Sequence, residues 1–126
     1  MNAARPPTHL PSRPEGAPTG LTCPQCGGAI WEQANADSLL FRCRIGHQLG
    51  LGAMLAEHGI RRRARLVAAG RQLAETAELN RRVAAWARER GHLESAERLE
   101  REALVLDEQA ETVISLATSA LVPASD

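Results

Sequence analysis

The sequence predicts a mostly α-helical chain in which a small β-hairpin ribbon with two cysteine-bearing knuckles precedes an antiparallel helical hairpin. Three observations predict it. All three cysteines and one of the four histidines fall between positions 23 and 47. From residue 93 onward apolar side chains recur by threes and fours, the period of a helix seam. Aromatic residues make up only 2%, so a core must be built from Leu, Val, Ile and Ala, which suits packed helices better than a sandwich.

Residues 1–20 carry Pro6, Pro7, Pro11, Pro14 and Pro18 with few large apolar side chains, and they are expected to form a disordered Pro-rich tail. Residues 21–48 form the ribbon. Apolar alternation appears around Ile30 and Trp31 and again around Leu39 and Phe41, with the polar stretch 33–38 between them, which reads as a short hairpin. Two strands are marginal alone in water, so something else must hold them.

Residues 49–121 are expected to be helical. Gly50, Gly52 and Gly59 bracket a short amphipathic helix at about 50–58 that carries Leu51, Met54 and Leu55. Two long helices follow at about 60–90 and 92–121, with Gly91 as the C′ stop between them. Residues 122–126 are read as a second tail. The later helix offers the seam Leu93, Ala96, Leu99, Ala103, Leu106, Ala110, Val113, Ala117 and Ala120. The earlier one offers Leu66, Leu73, Asn80 and Ala87 at sevens, with Ala69, Ala77 and Ala84 between them. A turn at Gly91 pairs the two seams antiparallel. Asn80 is the polar exception, and a slight rotation would put Leu79, Val83 and Trp86 in the core instead.

Charge supports the pairing. Residues 60–90 hold nine arginines and three glutamates, whereas residues 92–121 hold two arginines and seven acids. Over the whole chain the formal net charge is zero and every basic residue is arginine. A neutral chain exerts no general attraction on nucleic acid or an anionic membrane. An odd number of cysteines argues against a closed disulfide framework. No apolar run approaches the roughly 18 residues of a membrane span, and the first residues lack an apolar signal core, so a cytoplasmic protein with no membrane insertion is expected.

The ribbon carries the chemistry. Cys23-Pro-Gln-Cys26-Gly-Gly is followed by Cys43-Arg-Ile-Gly-His47, with sixteen residues between Cys26 and Cys43. Two thiolates in one tight turn can reach one ion, and a second turn supplies a thiolate and an imidazole. Three sulfurs and one nitrogen suit the borderline softness of zinc, so Cys23, Cys26, Cys43 and His47 are the expected ligands of one structural ion. A redox reading of Cys23 and Cys26 fails because no βαβ unit surrounds them. His9, His58 and His92 lack ligand spacing and are expected at the surface.

The string from Leu21 through Cys23, Cys26, Trp31 and Glu32, with Leu40, Phe41, Cys43, Gly46 and His47, resembles the zinc-ribbon extension of bacterial chemotaxis-type protein-glutamate methylesterases. In that family the ribbon follows the catalytic domain and precedes helices. The match covers about residues 21–120, and it departs after His47, where Gln48, Leu49 and Gly50 replace a helix-capping serine segment. The family's esterase domain would need well over a hundred further residues, and Ser12 lacks nucleophile-elbow glycines, so no methylesterase activity is expected of this chain.

The resemblance implies a non-catalytic zinc-binding module that docks a helical signalling protein, with self-association as a further expectation. Arg61, Arg62, Arg63 and Arg65, with Arg42 and Arg44 nearby in sequence, raise an alternative of nucleic-acid binding. That reading is opposed by the zero net charge and the lack of stacking aromatics. A remnant of a longer methylesterase is the third reading.

Overall fold

The computed structural model describes residues 13–119. The chain divides into two compact units, with the boundary between His58 and Gly59.

In the first unit, β1 (Ala17–Thr22), β2 (Ala29–Ala34), β3 (Leu39–Cys43) and β4 (Gln48–Gly50) form an antiparallel meander in the order β1-β2-β3-β4. The expected hairpin is its centre, β2 against β3, with Trp31 opposite Arg42 and Glu32 opposite Phe41. Its turn is closed by the Asn35 amide donating to the Ser38 carbonyl at 2.8 Å. Strand alternation sends Ile30, Phe41, Cys43 and Leu49 to one face, where they bury with Cys23 and Met54. Trp31 points to the other face, buried, with the Arg44 guanidinium 5.6 Å from its ring centroid.

Two expectations fail here. The ribbon has four strands rather than two. Residues 17–20, assigned to the disordered tail, lie in β1, while residues 1–12 fall outside the described residues. Composition misleads because β1 is an edge strand, where Pro18 needs no ladder hydrogen bond on its outer side. Side chains then tie the strand down. The register shifts between Pro18 and Thr22, and there the Thr19 hydroxyl donates to the Ile30 carbonyl at 2.9 Å. Gln33 Nε2 likewise donates to the Glu15 carbonyl at 2.7 Å.

A single helix, α1 (Leu51–Glu89), replaces the expected short helix at 50–58 and long helix at 60–90. Gly59 does not break it. One glycine costs a helix only about 1 kcal/mol, and the segment contains no proline. Its first turns belong to the first unit, where Met54 is 4% exposed within the ribbon core.

In the second unit, the rest of α1 runs to Glu89 and α2 spans Leu93–Ser119. Between them Gly91 holds φ +80°, a left-handed conformation that glycine adopts without strain. The His92 amide donates to the Ala87 carbonyl at 2.9 Å and the Gly91 amide to the Arg88 carbonyl at 3.1 Å, which together make a Schellman motif. The helices are antiparallel: Arg88 pairs with Glu100, Arg81 with Asp107, and Gly70 faces Ile114.

Their seam is built of small residues. Ala77, Ala84 and Ala87 of α1 bury with Ala96, Ala103, Ala110 and Ala117 of α2. Leu66, Leu73, Leu99, Leu106 and Val113 flank that line half-buried. The sequence reading misses at Ala69, which is exposed while its neighbour Gly70 is buried, and at Leu93, also exposed. The rotated arrangement is not adopted: Leu79, Val83 and Trp86 are 59, 41 and 53% exposed. Asn80 instead sits half-buried at the seam edge and donates from Nδ2 to Glu102 Oε2 at 3.2 Å. The last residues assigned to the second long helix, 120 and 121, and the tail 122–126 lie outside the described residues.

Candidate metal centre

The hairpin register brings the two knuckles together. Ile30 pairs with Cys43, the last residue of β3, so the β1–β2 and β3–β4 turns leave the sheet at the same end. In the first turn the Cys23 amide donates to the Gly28 carbonyl at 2.7 Å, and the Gly27 amide to the Cys23 carbonyl at 2.8 Å. The second turn is one residue tighter: the Cys43 amide donates to the His47 carbonyl at 3.1 Å, and the Gly46 amide to the Cys43 carbonyl at 3.2 Å. Gly27 and Gly46 hold matching positive φ values of 75° and 103°.

These turns converge four donor atoms. Sγ of Cys23, Cys26 and Cys43 and a ring nitrogen of His47 all lie within 4.8 Å of one another. Cys26 Sγ is 3.8 Å from Cys43 Sγ, and His47 Nδ1 is 3.6 Å from Cys23 Sγ and 3.4 Å from Cys43 Sγ. Thiolate and imidazole bonds of about 2.3 and 2.0 Å to one tetrahedral centre give edges of about 3.5–3.8 Å. The residues therefore stand close enough to hold one metal ion. Cys23 and Cys43 are buried and His47 is half-buried, whereas Cys26 is exposed.

Electrostatics differ between the sulfurs. Burial pushes the Cys43 thiol up, but the amides of His47 and Ile45, a hydrogen bond from the Cys26 thiol and the amide of Gly46 outweigh this and lower it to about 7. The His47 contact is a 3.3 Å N–H···S hydrogen bond. At Cys26 the Gly28 amide lowers the thiol, while desolvation and the neighbouring Cys23 and Cys43 thiols raise it, and the net shift is upward.

Among the described residues, no other sequence-derived histidine joins this cluster. At about 100° per residue, Arg61, Arg65 and Arg62 fall within about 100° of one another around α1, while Arg63 points nearly opposite Arg65. Arg42 donates to Gln48 Oε1 at 2.6 Å and Arg44 covers Trp31. His92 lies exposed at the inter-helix turn, and His9 is outside the described residues. His58 has a role that its lack of ligand spacing concealed. Its Nε2 is 3.1 Å from the Thr22 carbonyl and ties α1 to the residue before Cys23. The signal was its position four residues after Met54, on the same helix face.

Comparison with protein-family models, with curated proteins and with solved structures finds no match to this chain. Among the described residues, no helix is long and apolar enough to cross a membrane.

Proposed function

We propose that this chain is a non-catalytic zinc-binding module that docks a protein partner in a bacterial signalling system of the chemotaxis type. The observation that carries the reading is the closed donor set of Cys23, Cys26, Cys43 and His47, whose separations of 3.4–3.8 Å fit tetrahedral zinc. Zinc with four protein ligands keeps no open position for substrate or water, so its role is structural. Two of its ligands, Cys23 and Cys43, also belong to the ribbon core, so the ion would replace the apolar bulk that so small a sheet lacks. The signalling assignment rests on the resemblance of the ribbon residues to the methylesterase extension.

Two measurements test it. Elemental analysis of the purified protein should give one zinc per chain, and cobalt substitution should give the visible bands of a tetrahedral thiolate site. A pull-down with the zinc-loaded chain should recover a chemoreceptor or a partner of receptor modification. Recovery of nucleic acid in a salt-sensitive complex, with no signalling protein, would replace this reading with the nucleic-acid one.

A further inference from the structure

The two flanks of the helical hairpin are chemically different. One is closed by ion pairs, Arg81 to Asp107 at 2.8 Å and Arg88 to Glu100 at 2.9 Å. The other holds an open groove of about 500 Å³, lined by Thr76, Asn80, Val105, Leu106 and Gln109 with Arg98, Arg101 and Glu102 at its rim. Leu79, Val83 and Trp86 follow Thr76 at spacings of three, seven and ten, so they extend the same face of α1. These three form an apolar stripe along α1, each at least 41% exposed, and Val105 on α2 is exposed as well.

We propose that this groove receives an amphipathic helix of acidic character from a partner protein, an inference that rests on the protein-docking function above. The geometry favours a helix. Thr76 to Trp86 spans about 15 Å, or close to three turns, and a groove between two antiparallel helices accepts a third through side chains at i, i+3 or i+4, and i+7. The charge favours acids on that helix. Among the described residues neither Arg98 nor Arg101 makes an ion pair, whereas Glu102, the only acid of the groove, is already held by Asn80. Arg90, stacked 4.3 Å from the Trp86 ring centroid, lies at the end of the stripe and is 4.0 Å from the Glu89 carboxylate. A lipid surface is too flat to reach the half-buried floor at Asn80 and Leu106.

The test is a displayed library of three-turn helical peptides, with apolar and charged positions randomised, selected on the zinc-loaded full chain. Selected peptides should carry Leu or Ile at the groove spacing and Asp or Glu beside it. Val83→Glu and Arg98→Glu should each weaken their binding by about tenfold or more, with the melting curve unchanged. Val105→Asp, on the opposite wall, serves if Val83→Glu perturbs folding. Selection of basic peptides, or of none, would overturn the proposal. Equal binding by parent and variants would place docking elsewhere. Retention of a signalling partner by the Val83→Glu variant in the pull-down would likewise remove the groove while leaving the docking function intact. A dimer abolished by Val83→Glu, or co-sedimentation with phosphatidylglycerol vesicles, would overturn the proposal in favour of a second copy or a lipid surface.

Discussion

Gly70 of α1 lies directly beneath Ile114 of α2: a Cβ at Gly70 would stand 2.6 Å from Ile114 Cγ1 and 3.7 Å from the Ala110 carbonyl oxygen. The helices meet here through hydrogen alone. Alanine is worth about 1 kcal/mol over glycine inside a helix, yet this contact opposes it. Ile114 is β-branched and has essentially one favoured rotamer in a helix, so moving it aside costs about 0.5–1.5 kcal/mol. Gly70→Ala should therefore bring no gain in the parent chain but about 1 kcal/mol in an Ile114→Ala background. Denaturant melts of the four proteins measure that coupling, and additive effects would contradict the close contact.

Metal removal should unfold the ribbon and spare most of the hairpin. The ribbon core of Cys23, Ile30, Phe41, Cys43, Leu49 and Met54 includes two of the ligands, whereas the hairpin buries its own alanine seam. A chelator titration followed by far-ultraviolet circular dichroism should lose strand signal and the first turns of α1 only. Trp31 fluorescence should shift red at the same point. Loss of nearly all helicity would make the two units one cooperative domain.

Ligand substitution and pH should act on the same site. Cys43→Ser should lose metal, while His58→Ala and His92→Ala should retain it, because serine is a poor zinc ligand and neither histidine belongs to the donor set. The depressed Cys43 pKa contributes stability that is present above the ordinary thiol value of about 8.5. That contribution is lost as pH falls through about 7. Cys26, raised, contributes in the opposite sense: its share is present at low pH and lost as pH rises. Protons compete with the metal for the thiolates and the imidazole, so metal retention, read with an indicator dye, should decline as pH is lowered. Full occupancy in Cys43→Ser would sink the four-ligand assignment.

Asn80→Leu should raise the melting temperature of the hairpin. Asn80 is half-buried at the seam edge, and its hydrogen bond to Glu102 is solvent-accessible, so the amide gains less than a packed leucine would. The same change removes a polar group that can select register, and light scattering should show a broader distribution of oligomers. An unchanged melt with one unchanged mass would mean that Asn80 behaves as a surface residue.

The cluster of Cys23, Cys26, Cys43 and His47 and the helical hairpin were legible in the sequence because both are periodic or local. Cys23 and Cys26 lie within one turn, as do Cys43 and His47, and a knuckle needs little beyond that spacing. The alanine line at 96, 103, 110 and 117 is a seven-residue repeat, and the burial follows it. What the sequence left open were choices between locally equal states. Pro18 and Thr19 read as a solvated tail until β2 offers Ile30 as a hydrogen-bond partner eleven residues away from Thr19. Gly59 reads as a break until the helix on both sides of it outweighs one glycine. Asn80 and the stripe of Leu79, Val83 and Trp86 lie about one helical residue apart in rotation, so periodicity alone could seat either on α2. Tertiary packing decided it. With Gly70, Ala77 and Ala84 at the contact the backbones approach too closely for the large side chains, which turn outward and leave the apolar flank exposed.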